Sequence, residues 1–70
     1  MRELFVEVRE DNVDGGYVAS AIGHGIHTQA ETLDELRENI LDAVDCYFGD
    51  RADAPTVIHM RIISEEVLVR

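Results

Sequence analysis

Hydrophobic positions recur along this chain with two different periods, and the switches between them lay out a fold. From Glu3 to Glu10, ELFVEVRE, Leu4, Val6 and Val8 alternate with Glu3, Phe5, Glu7 and Arg9, which is the signature of a half-buried strand. Asp11 to Gly16, DNVDGG, is dense in turn formers, and its Asp14-Gly15 pair is a hairpin signal. Tyr17 to Ile22 then reads as a second strand returning antiparallel, broken at Gly23-His24-Gly25, where two glycines allow backbone angles that other residues avoid. Ile26 to Ala30 is a shorter third strand. After the polar loop GDRADAP, in which Pro55 blocks helix continuation, Ile58, Met60 and Ile62 alternate with His59, Arg61 and Ile63 as a fourth strand. Ser64-Glu65-Glu66 interrupts the apolar run as a bend or bulge before Val67 to Val69.

Between the third and fourth strands the period changes to that of a helix. TLDELRENILDAVDCYF, Thr32 to Phe48, places Leu33, Leu36, Ile40, Val44 and Tyr47 on one stripe, widened by Ala43 and Phe48. Asp34, Glu35, Glu38, Asp42 and Asp45 gather on another side, with no basic residue expected among them. Thr32 and Glu35 form the pattern of a capping box, and Gly49 stands where a left-handed residue commonly ends a helix. The prediction is an α+β fold, β-β-β-α-β, with an antiparallel meander and one helix packed on one sheet face. The last strand is expected to cross over and lie parallel beside the first. Leu4, Val6, Val8, Ile58, Met60 and Ile62 would meet the helix. The opposite face would carry Phe5, Tyr17, His59 and Ile63 without a covering element, so these four are the candidate oligomer interface.

Seventy residues make a single domain, 1–70, without repeat or linker. A chain this short buries only about 60% of the surface its unfolded form exposes, so association with another copy is an expected source of stability. Cys46 is the only cysteine, which excludes an internal disulfide and suits a reducing, cytoplasmic setting. The opening MRELFVEVRED lacks the apolar core of a signal peptide, and no run reaches the roughly 18 apolar residues of a membrane span. Fifteen acidic against six basic residues give a net charge of −9, which repels phosphate backbones and argues against direct binding of nucleic acid. The same balance suits a basic partner. Asp34, Glu38, Asp42 and Asp45 are the candidate contact, imitating phosphate by charge. The competing reading is a solvated helix face with no role beyond solubility.

Catalytic and metal readings find little support. His24 and His27 are three apart, and on an extended segment such positions point to opposite faces, so no metal site is expected from them with Cys46 or His59. Ser20 and Cys46 are possible nucleophiles with His24 or His27 as base, but neither sits in a nucleophile signature, and Cys46 lies near a helix C-terminus that disfavours a thiolate. No cofactor and no enzymatic activity are expected. Gly15, Gly16 and Gly49 read as turn and cap residues.

The run DGGYVASAIGHGIHTQAETLDELRENILDAVDCYF resembles the N-terminal domain of HicB-like antitoxins. The features that carry the resemblance are Asp14, Gly16, Tyr17, Ala19, Gly25, Thr32, Glu35, Asn39 and Ile40, in that order. VIHMRIISEEVLVR is similar to the last strand of small stand-alone relatives, so the likeness spans nearly the whole chain. Ala30 departs from the family pattern, which usually has glycine there. Such antitoxins commonly continue into a DNA-binding domain, which is not seen here, so operator binding is not carried over. The resemblance implies a fold with a partial RNase-H or double-stranded-RNA-binding look, self-association as a dimer or larger, and neutralisation of a small basic HicA-like RNase toxin. The alternative is a stand-alone oligomeric scaffold or small-ligand-binding module without a toxin.

Overall fold

The computed structural model describes residues 2–11, 13–64 and 68–70. Five elements follow in the predicted order: β1 (Glu3–Glu10), β2 (Tyr17–Ala21), β3 (His27–Ala30), α1 (Leu33–Phe48) and β4 (Val57–Ile63). They form one four-stranded sheet in the order β3-β2-β1-β4. β1 and β2 are antiparallel, as are β2 and β3, whereas β4 runs parallel to β1 at the other edge. The helix therefore serves as the crossover that a parallel neighbour requires. The fold class and the place of the last strand match the sequence expectation. The expected Ser64–Glu66 bend and the Val67–Val69 segment lie partly on residues 65–67, outside the described residues. Leu68 and Val69 are exposed.

The turns explain why the meander closes as it does. Asp11 Oδ1 accepts from the Val13 and Asp14 amides at 3.0 and 3.2 Å, and the Asp11 amide donates to Gly16 C=O at 2.9 Å. An aspartate that binds backbone a few residues on builds a turn by itself. At the next reversal His24 N–H donates to Ala21 C=O, with Gly23 at φ 81°, the angle a type II turn demands of its third residue.

The core is apolar throughout: Leu4, Val6 and Val8 of β1, Ala19 and Ala21 of β2, Ile26, and Leu36, Ile40, Val44 and Phe48 of the helix. Phe48, rather than Tyr47, ends the buried helix stripe, and Tyr47 is 44% exposed. The register with β1 decides another position. Tyr17 pairs with Glu10, two steps beyond the Val8–Ala19 pair, so it shares the helix-facing side and packs on the core. The expectation that Tyr17 joins Phe5, His59 and Ile63 on the open face is therefore corrected.

Thr32 caps the helix through Oγ1, which accepts from the Glu35 amide at 3.1 Å. A return bond from the Glu35 side chain is absent among the described residues, so half of the predicted box forms. Thr32→Ala is expected to cost about 1 kcal/mol, read by thermal denaturation. Gly49 has φ 56° and ψ −131°, a positive φ outside the left-handed helical well, while its amide closes on Asp45 C=O.

Candidate functional site

Two surfaces carry the residues singled out by the sequence, and they lie on opposite sides of the domain. The first is the solvent side of α1. Asp34, Glu38, Asp42 and Asp45 are all exposed there, as are Glu35 and Leu41. Arg37 Nη1 meets Asp34 Oδ1 at 2.6 Å, so a basic residue does stand beside the acidic row at its N-terminal end. Such an exposed i, i+3 pair adds a few tenths of a kcal/mol, and its larger effect is to neutralise Asp34. Glu38, Asp42 and Asp45 have no ion-pair partner among the described residues. The same holds for Glu35, so the unneutralised charge runs along the helix beyond Asp34.

The second surface is the outer face of the sheet, which no element covers among the described residues. Register places Glu3, Phe5, Glu7 and Arg9 of β1 beside Val57, His59, Arg61 and Ile63 of β4 on that face. The His59 ring stacks on Phe5 at 4.6 Å and an interplanar angle of 9°, and its Nε2 lies 3.3 Å from Glu3 Oε1. Phe5 remains 44% exposed. Three of the four proposed interface residues, Phe5, His59 and Ile63, therefore do share a face. The β2–β3 half of that face forms a shallow trough of about 650 Å³ lined by Glu7, Arg9, Ser20, His27 and Gln29.

That trough bears on catalysis. Glu7 pairs with Ser20 and Ser20 with His27, making a row across three strands. Activation of a serine needs the imidazole between hydroxyl and carboxylate, whereas here the serine occupies the middle. His24 lies elsewhere, edge-on to Tyr47 and Phe48 at 5.6 and 5.3 Å. Among the described residues no group of three His, Cys, Asp or Glu side chains could hold a metal ion. No helix among the described residues is long and apolar enough to cross a membrane.

Relatives give these features a family. A UPF0150 protein of Archaeoglobus fulgidus is 53% identical over 40 residues, 57% of this chain and 61% of that protein, so the match spans less than two thirds of its length. A UPF0150 protein of Thermotoga maritima is 37% identical over 62 residues, 89% of this chain and 83% of that protein. The chain belongs to the UPF0150 family. No family model and no solved structure matches it.

In this UPF0150 chain most of the distinctive sequence features are architectural. Gly16 sits at φ 79° against the Ala30 carbonyl, Thr32 caps α1, and Ile40 is buried. Asn39 has a less predictable role. Its Nδ2 donates to Gln29 C=O at 3.0 Å, tying the helix to the β3 edge strand. Sequence reasoning missed this bond, because only the tertiary placement of α1 over β3 brings the two together.

Proposed function

We propose that this UPF0150 protein is a non-enzymatic protein-interaction domain that resembles an antitoxin and neutralises a small basic RNase toxin. The observation that supports it most is the exposed, unneutralised row Glu38, Asp42 and Asp45 on α1, continued by Asp34 at the arginine-paired end. A row of carboxylates on a rigid helix offers a phosphate-like charge pattern to a protein built to bind RNA. Covering that protein's basic surface would exclude its substrate. The resemblance to HicB-like antitoxins supplies the class of partner, and the net charge of −9 favours rapid, salt-sensitive encounter.

The test uses a small basic RNase recovered with the domain from native lysate at low salt. Adding the domain back is expected to inhibit its RNA cleavage stoichiometrically. Glu38→Lys combined with Asp42→Lys should weaken the complex by about tenfold to a hundredfold and flatten its salt dependence. Both residues are exposed, so melting should be nearly unchanged. An affinity that does not respond to salt or to this charge reversal would sink the phosphate-mimic reading.

The second reading is a self-associating scaffold without a toxin. It draws on the uncovered sheet face carrying Phe5, His59 and Ile63. Self-association is compatible with both readings.

A further inference from the structure

The two edges of the sheet are not alike. At β3 the helix packs over the strand and Asn39 occupies the Gln29 carbonyl. At β4 nothing comparable exists among the described residues: α1 comes nearest to β3 and β2, and of the helix-facing side chains of β4 Ile58 and Met60 reach the core only in part. As a result Ile62, on the helix-facing side, is 55% exposed, and Ile58 and Met60 are only half-buried. The strand itself, VIHMRII, has no proline, no lysine and no acidic residue, and Arg61 is its one permanently charged side chain, so it carries few of the devices that protect a free edge.

Backbone direction sharpens this. Val57 N–H donates to Arg2 C=O at 3.2 Å. In a parallel ladder alternate residues turn both backbone groups to the same neighbour. Val57, His59, Arg61 and Ile63 therefore address β1, while Ile58, Met60 and Ile62 turn their N–H and C=O groups outward. The same three residues carry the under-covered side chains. Among the described residues, hydrogen-bonding groups without a strand partner and exposed apolar surface thus coincide on one strand.

We infer that this edge pairs with the β4 edge of a second copy, antiparallel about a two-fold axis, to make a continuous eight-stranded sheet. The inference rests on the reading that the domain self-associates, and it specifies how. A two-fold axis perpendicular to the sheet makes the contact isologous and closed. Residues with outward groups must oppose one another, and full overlap of the strand then centres the axis on Met60. Ile58 of one copy meets Ile62 of the other on the helix side, where the two under-covered apolar rows merge between the helices. On the outer side Val57 meets Ile63 and His59 meets Arg61.

Charge selects this occupant. In a chain of net charge −9, two copies repel through most of their surface, but β4 bears only Arg61 and His59, with Glu3 and Glu7 of β1 flanking that row. It is a strand along which two such acidic chains can meet without opposing carboxylates. The acidic side of α1 stays free for a different partner.

Sedimentation equilibrium and residue-resolved amide exchange test this on the full chain. At a concentration about a hundred times the dissociation constant, the Ile58, Met60 and Ile62 amides should exchange on the order of tenfold more slowly than in dilute monomer. Those of His59 and Arg61, already bonded to β1, should change little. Ile62→Glu places a carboxylate at a position that is half-exposed in the single copy and enclosed in the pair. It should raise the dissociation constant by about a hundredfold while leaving the fold intact. Phe5→Ser, on the outer face, should leave the dimer in place. A dimer that Phe5→Ser dissociates and Ile62→Glu does not, with unprotected Ile58, Met60 and Ile62 amides, overturns the edge pairing but keeps self-association. A chain that stays monomeric at millimolar concentration overturns both.

Discussion

Leu36→Ala is expected to cost about 3–5 kcal/mol, most of the stability this domain has. Leu36 is fully buried at the N-terminal end of the helix stripe, within the cluster that holds Val8, Ala19 and Ile40. Truncation removes transfer free energy and leaves a cavity between two rigid layers that cannot collapse without moving the helix off the sheet. A domain of this size has a total stability of roughly 3–10 kcal/mol. Each kcal/mol lost lowers the melting temperature by about 4–8 °C, so a fall of roughly 15 °C or more is the expected reading in thermal denaturation. Leu41→Ala is the internal comparison. Leu41 is 55% exposed on the same helix, and its truncation should stay within about 0.5 kcal/mol. Similar losses at the two positions would mean that the helix packs on the sheet through a different stripe.

Gly16→Ala should be nearly as damaging, for a reason unrelated to burial of apolar area. Gly16 adopts φ 79°, and a Cβ built there lies 2.6 Å from the Ala30 carbonyl oxygen and 3.2 Å from the Glu31 Cα. Backbone strain of this kind costs about 1 kcal/mol or more by itself. The overlap is with backbone of the neighbouring strand, so it can be relieved only by parting β2 from β3 where Tyr17 pairs with Ala30. A total near 3 kcal/mol is expected. Gly15 separates the two causes. Its φ is 80°, yet a Cβ there meets nothing within 4 Å, so Gly15→Ala should show the strain alone, about 1 kcal/mol. Equal effects at both glycines would remove the close approach of β2 to β3 as the explanation.

The two surfaces differ in how much of them the sequence discloses. The acidic side of α1 follows from helical spacing alone, because residues on one helix keep their angular relation whatever the helix packs against. Arg37 escaped that reading, since its long side chain reaches across to Asp34 from outside the acidic sector. The open sheet face was legible for Phe5, His59 and Ile63, whose alternation within β1 and β4 is uninterrupted. Tyr17 was misplaced because a turn intervenes. Alternation sorts residues within a strand, but which side of the sheet a new strand's first residue takes depends on how many residues the turn consumes and how it twists.

By itself, then, the sequence determined what is local: the period of each element, the Thr32 cap, the breaking glycines, the separation of apolar from acidic sides on α1, and the net charge that disfavours phosphate partners. These are settled by residues a few positions apart, where backbone geometry fixes who neighbours whom. The tertiary structure alone decided what depends on long-range placement. It brought the helix nearest to β3 and β2, joined Asn39 to the Gln29 carbonyl, pressed Gly16 against the Ala30 carbonyl, and left the outward backbone groups of β4 and the Ile62 side chain open among the described residues. Those contacts join residues distant in the chain, and their geometry follows from packing four strands and one helix around a core too small to cover every edge.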